Sequence, residues 1–231
     1  IGIGIASGLW LILRHRIGIV HARSYVPAVM ALALKRLTGA RFLFDMRGFW
    51  ADERVDGGLW PKDGRLYRVA KWFEKRFLLR ADHVVSLTRA AVREMEKFPY
   101  LQQRMPAITV IPTCADLQRF TPGATPPPAA PFVLGYVGSA GTWYQFDAVC
   151  VVYKYLLAVK PDSRFVIVNR HEHERIRKAL TEVGVSLTNV ETVSASHSEV
   201  ASLMQSMHAG IFFYKPFYSK AACAPTKLGE F

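Results

Sequence analysis

Along this chain, short apolar runs rich in β-branched and aromatic residues alternate with longer stretches whose apolar positions recur at helical spacing. The runs at 17–22 (IGIVHA), 41–46 (RFLFDM), 83–87 (HVVSL) and 108–112 (ITVIP) predict strands. The segments 25–38, 64–80 and 88–98 between them predict helices. Parallel neighbours need a crossover, and helices of this length supply one, so the alternation predicts βα units and a mainly parallel sheet. The segment TPGATPPPAAP, 121–131, then breaks all periodicity with five prolines and a glycine, as a connector does. Beyond it the alternation restarts, with strands expected at 132–138, 164–169, 189–195 and 209–215 and helices near 144–159, 171–183 and 197–206. A last helix is expected to open at Ala224 or Pro225, since proline suits a first helical position.

This pattern predicts an α/β protein of two Rossmann-like domains facing across a cleft. The boundaries read 1–113 for the first domain, 114–131 for the linker and 132–231 for the second. No sequence repeat relates the halves. Open parallel sheets bind ligands at the carboxyl ends of their strands, which directs attention to the residues just after each strand.

The opening IGIGIASGLWLIL is an apolar run of 13 residues ending at Arg14, shorter than the roughly 18–20 that a spanning helix needs. It reads as a helix entered part-way along, with Gly4 and Gly8 allowing close packing; its glycine spacing is wrong for a dinucleotide fingerprint. Phe231 also falls inside a predicted helix, so the reading expects an excerpt of a longer chain, with both domains incomplete.

Composition changes this picture little, but charge changes it more. The net charge is +12, and residues 1–120 carry 20 Lys+Arg against 10 Asp+Glu, whereas 121–231 carry 10 against 8. A positive field concentrated in the first half points to an anionic partner such as a membrane surface, a phosphorylated substrate or nucleic acid. On the predicted helix 64–80, Arg65, Arg68, Lys71, Lys75 and Arg76 are expected to form a charged face opposite Leu66, Val69, Phe73 and Phe77. With Trp72 nearby, that face suits contact with anionic lipid. Cys114, Cys150 and Cys223 stand far apart without a Cys-x-x-Cys pair, which argues against a disulfide framework or zinc site and for a reducing compartment. His171 and His173 in HEHER are two apart and diverge on a helix, so no protein-ligated metal is expected.

Candidate chemistry gathers at strand ends and at the last helix. In SKAACAPTKLGEF, 219–231, Thr226, Lys227 and Glu230 share one face at helical spacing, and Leu228 with Phe231 share the other. A lysine in the first turn suits a diphosphate, and a carboxylate one turn deeper suits the two hydroxyls of a ribose. The turn GSAGT, 138–142, follows a strand and brings Gly138, Ser139 and Gly141 forward as groups that let backbone N–H approach a phosphate. In the first half, His21 and Arg23 follow one strand and Asp45 and Arg47 another. Arg47 is expected to contact donor phosphate or acceptor, His21 to line a sugar pocket, and Arg23 and Asp45 to lie on the acceptor side.

The run FYSKAACAPTKLGEF resembles the nucleotide-sugar motif of the family 4 glycosyltransferases, retaining enzymes of the GT-B fold. IVHARSYVPA at 19–28, FLFDMRGFWADE at 42–53, ADHVVSLT at 81–88, VIPTCADLQRF at 110–120 and LGYVGSAGTWY at 134–144 resemble further segments of that family in the same order. The resemblance implies that Glu230 binds the ribose, that Lys227 and Thr226 face the phosphates, and that Ser219 and Lys220 belong to the donor site. With the strand-end candidates His21 and Arg47, Lys227 is expected to form the catalytic group. Two positions depart from the family pattern: Ala222 stands where a second glutamate is frequent, and GSAGTWY lacks the usual loop cations. Lys220, Lys227 and groups from the other domain are then expected to meet the phosphate charge. The implied activity is transfer of a sugar, with retention, from a nucleoside-diphosphate sugar to a hydroxyl of a lipid-linked or saccharide acceptor. The nucleotide sugar is a co-substrate, with no other cofactor and no nucleic-acid partner. The implied setting is bacterial cell-envelope synthesis in the cytoplasm, peripheral to the inner membrane face. Two other readings stay open: a non-catalytic basic module binding membrane or nucleic acid with a degenerate nucleotide pocket, and a nucleotide-sugar epimerase of the same fold.

Overall fold

The computed structural model describes residues 1–196 and 198–231. They divide into two compact units: Ile1–Thr113 with Pro216–Ala224, and Cys114–Lys215 with Pro225–Phe231. The segment 216–224, counted in the second domain by the sequence reading, is therefore grouped with the first unit.

In the first unit, α1 (Gly2–His15) precedes β1 (Ile19–Arg23), α2 (Tyr25–Thr38), β2 (Arg41–Asp45), α3 (Trp50–Asp56), α4 (Arg65–Arg80), β3 (His83–Ser86), α5 (Arg89–Glu96) and β4 (Ile108–Val110). The four strands pair in parallel in the order β1-β2-β3-β4. Phe42 and Phe44, on one face of β2, are fully buried with Phe49, Phe77, Leu78, Met95 and Leu101. Local chemistry sets the helix ends: the Gly39 N–H closes α2 on the Lys35 carbonyl at a φ of 75°, and the Thr88 hydroxyl caps α5 by accepting from the Ala91 N–H at 3.0 Å. Gly4 and Gly8 do let α1 approach α2. A Cβ at Gly8 would stand 2.7 Å from a Leu34 methyl, and one at Gly4 would meet the Met30 sulfur.

Two features of this unit differ from expectation. Helix α3 was not anticipated, because seven residues carry too little periodicity; Asp52 and Glu53 in its first turn complement the helix dipole. On α4 the buried positions are Ala70, Glu74, Phe77 and Leu78, a stripe that leaves Leu66, Val69 and Trp72 exposed. Lys71 turns inward instead of joining a solvated face, bonding Asp52 at 3.1 Å and Glu74 at 2.5 Å. Glu74 is fully buried and also accepts from the Tyr25 hydroxyl.

The second unit runs β5 (Val133–Val137), α6 (Phe146–Val159), β6 (Arg164–Val168), α7 (His173–Glu182), β7 (Val190–Val193), α8 (Val200–Gln205), β8 (Ala209–Gly210) and α9 (Thr226–Glu230). Its sheet is parallel in the order β7-β6-β5-β8. The helix expected from 197 begins at Val200, and its predicted first residue lies outside the described residues. The strand expected over 209–215 pairs with β5 only at Ala209 and Gly210. Its continuation swings to the loop before α6: the Gln145 N–H donates to the Phe213 carbonyl, the Lys215 N–H to that of Trp143, and Tyr144 bridges Tyr214. Those pairings also explain why α6 starts at Phe146 rather than 144. Pro225 is the extended residue before α9, with ψ 123°, so the helix opens at Thr226.

Candidate functional site

In the second unit the site grows from the carboxyl end of β5. The Gly138 N–H donates to the Val168 carbonyl at 2.9 Å, and Gly138 takes a φ of 124°, which L side chains rarely adopt. A Cβ there would strike the Lys227 ammonium and stand 3.0 Å from its Cε, so the glycine is needed for conformation and a side chain in its place would push the tip of Lys227 aside. Two residues 89 positions apart, both sequence candidates, are thus brought together.

Aromatic groups hold Lys227 over that glycine. Its Nζ donates to the Tyr144 hydroxyl at 3.0 Å and lies 4.1 Å from the centre of the Tyr144 ring, with the Tyr136 and Phe212 rings at 6.0 and 5.9 Å. Tyr144 is itself stacked on Tyr214, at 5.0 Å between ring centres. An ammonium has three donors, and Tyr144 takes one. Among the described residues, no carboxylate forms an ion pair with Lys227. Because α9 has only five residues, it sums few aligned peptide dipoles, and the positive charge here is that of Lys227 rather than of the helix end. Thr226 is exposed and Glu230 half-buried on the same short helix.

The glycine-bearing turn is engaged by contacts within its own unit. The Ala140 N–H donates to the Glu172 carboxylate at 2.9 Å, and the Gly141 N–H to the Ser139 hydroxyl at 3.2 Å. The Glu172 carboxylate and the Ser139 hydroxyl thus already hold two of the turn's amides. Asn169, directly after β6, organises this arrangement. Its carbonyl oxygen accepts from the N–H groups of His171 and Glu172, and its amide donates to the Gly138 carbonyl and to Glu172. Burial raises the Glu172 pKa, but hydrogen bonds from Ser139, the Ala140 N–H and Asn169, with Arg175 nearby, together hold it below its ordinary value. A cavity of about 440 Å³ opens at these strand ends, lined by Gly138, Ser139, Asn169, Arg170 and Glu172 among others. The sequence reading passed over Asn169, Glu172 and Tyr136, and noted Tyr144 only as part of a loop without cations; the Asn-x-x-Glu spacing after a strand was the available signal for the first two.

In the first unit, three of the four strand-end candidates meet. Arg23 and Asp45 are register partners at the ends of β1 and β2, and the Asp45 carboxylate lies 3.5 Å from both His21 Nε2 and Arg23 Nε. The backbone then turns sharply: Ser24 has a φ of 73° and Arg47 one of 57°, with the Arg47 side chain exposed. The segment 216–224 packs against α3 in the same unit. The Ser219 N–H donates to Asp56 at 3.0 Å, and Lys220 pairs with Glu53 at 3.5 Å. The Ser219 hydroxyl is fully buried and has no hydrogen-bond partner among the described residues. Burial, with Glu53 close by, pushes the Cys223 thiol up to about 11 against the opposing effect of Lys220.

Comparison with solved structures gives the same fold repeatedly. A sucrose-phosphate synthase from Thermosynechococcus elongatus superposes with a TM-score of 0.64 at 14% identity, over 89% of this chain and 52% of that one. A glycosyltransferase from Rickettsia africae gives 0.63 at 15% identity, over 90% and 54%. Anabaena HepE in complex with UDP gives 0.62 at 14% identity, over 89% and 55%. The chain thus spans about half the length of these proteins, and its fold is GT-B. No curated protein matches it in sequence. The model of Glycosyltransferase Family 4 covers residues 2–119, just over half of the 231, and the chain belongs to that family.

Proposed function

We propose that this chain carries the donor site of a glycosyltransferase, with Lys227 meeting the diphosphate of a nucleoside-diphosphate sugar and Glu230 meeting its ribose. The observation that carries the reading is Lys227 itself: an ammonium held over Gly138 at the end of β5, without a carboxylate partner among the described residues and with donors to spare. As the glycosidic bond breaks, negative charge grows on the leaving diphosphate, and a fixed cation in aromatic surroundings stabilises that state more than the ground state. The complexes of Anabaena HepE with UDP and with UDP-glucose support a nucleotide sugar as donor. In the first unit, Asp45 pairs with His21 and Arg23, and Arg47 is exposed two residues after Asp45; we assign these residues to the acceptor and the transferred sugar. The resemblance to family 4 supplies retention of configuration, and the basic first half suits a lipid-linked acceptor at the cytoplasmic face of a bacterial membrane.

Calorimetry with UDP, GDP and ADP tests the donor assignment. One of the three should bind saturably, and Glu230→Ala should abolish that binding. Indifference to all three would refute it and favour the non-catalytic module. With donor and acceptor supplied, the anomeric configuration of the product tests retention.

A further inference from the structure

We infer that the cationic groove between α2 and α4 is a seat for the headgroups of anionic phospholipids. A cavity of about 880 Å³ lies there, walled by Lys35 and Arg36 from α2 and by Trp72, Lys75, Arg76 and Arg80 from α4, with Leu32 and Leu79 also lining it. Five of its eight lining residues are cations, and none is a carboxylate. Lys35 spends its charge on Asp82 at 2.5 Å and on the Arg80 carbonyl, which fixes the wall. Among the described residues, Arg36, Lys75, Arg76 and Arg80 form no ion pair. Four close cations without counter-charge are costly unless an anion joins them.

The apolar neighbours identify that anion's carrier. Leu66, Val69 and Trp72 are 63%, 54% and 49% exposed and succeed one another at three-residue spacing along α4, leading into the groove. Exposed aliphatic side chains in line with arginines and a tryptophan match the boundary between headgroups and acyl chains. Nucleic acid fits less well. One face of Trp72 is covered by the Arg76 guanidinium at 3.2 Å, and the ring meets Phe73 edge to face, so little of it is left for stacking on a base. This inference extends the reading of a membrane-borne acceptor. It is scored by vesicle binding without donor or turnover, so failure of either leaves the other standing.

The test is co-sedimentation of the full chain with vesicles of phosphatidylglycerol in phosphatidylcholine, against phosphatidylcholine alone. The variant Arg36→Gln/Lys75→Gln/Arg76→Gln is compared with Lys154→Gln/Arg177→Gln/Lys178→Gln, which removes the same charge from exposed sites on the second unit. Each cation removed from the headgroup layer lowers partitioning by about fivefold, so the groove variant should bind about a hundredfold more weakly while the control falls by less than about threefold. Leu66→Ser/Val69→Ser, at two exposed positions, should weaken binding by about tenfold with unchanged circular dichroism. Equal losses from both triple variants would overturn the proposal. So would displacement from the vesicles by millimolar inorganic phosphate, or saturable oligonucleotide binding that the groove variant alone abolishes.

Discussion

Replacing Lys227 by methionine removes one charge and keeps a chain of similar length over Gly138. The proposed ligand group is a phosphate oxygen at hydrogen-bond distance from Nζ, and Tyr144 occupies only one of the three ammonium donors. A unit charge at about 4 Å in an effective dielectric of about 20 interacts by roughly 4 kcal/mol, which is the ceiling. Lys227 is half-buried, so solvent screening lowers that figure toward the roughly 1.5–3 kcal/mol of a hydrogen bond to a charged group. At about 1.4 kcal/mol per decade, affinity for the preferred nucleoside diphosphate should fall roughly 10- to 100-fold. Stability should change far less. The cation–π contacts with Tyr144 and its neighbours contribute about 0.5–1 kcal/mol, and a methionine sulfur regains part of that against the same rings. Calorimetric titration of both proteins with UDP and with uridine separates the contributions, because uridine has no phosphate to lose. If UDP affinity is unchanged, or if uridine weakens as much as UDP, Lys227 does not meet the diphosphate.

Other outcomes follow from the same structure. The Glu172 pKa is depressed below its ordinary 4.5, so the stability it contributes is present above that pH and is lost as pH falls through the folded value. Thermal melts from pH 6 to 3 should therefore show a steeper acid loss in the wild type than in Glu172→Gln, and parallel curves would contradict the role given to this carboxylate. Lys71→Met leaves Asp52 and the fully buried Glu74 without their cation and should cost about 3–5 kcal/mol in chemical denaturation; Lys71→Met/Glu74→Gln should recover most of it. Ser219→Ala removes a buried hydroxyl with no partner among the described residues, so it should stabilise the fold by about 1 kcal/mol; a loss of that size would mean the hydroxyl has a partner in solution.

Sequence alone determined the architecture. Strand and helix periodicities, the proline-rich 121–131 and the caps at Thr88 and Gly39 are local signals, and local backbone preferences and alternating burial suffice to produce parallel βα units. The run APTKLGE also pointed to Lys227 as a residue with chemistry. What it could not contain were facts created by distant contacts. Only folding could show that Lys227 lies over Gly138, that Glu172 takes the amide of the turn thought ready for phosphate, and that Lys71 turns inward on a helix face that looked solvated. A helical wheel gives the angle between side chains but not which angle faces the sheet. On α4, packing of Phe77 and Leu78 decided that rotation, buried Glu74 with its lysine, and left Leu66, Val69 and Trp72 outside. The turn after β5 was settled likewise by competition for its N–H groups, which a carboxylate 32 residues further along wins once Asn169 holds it in place.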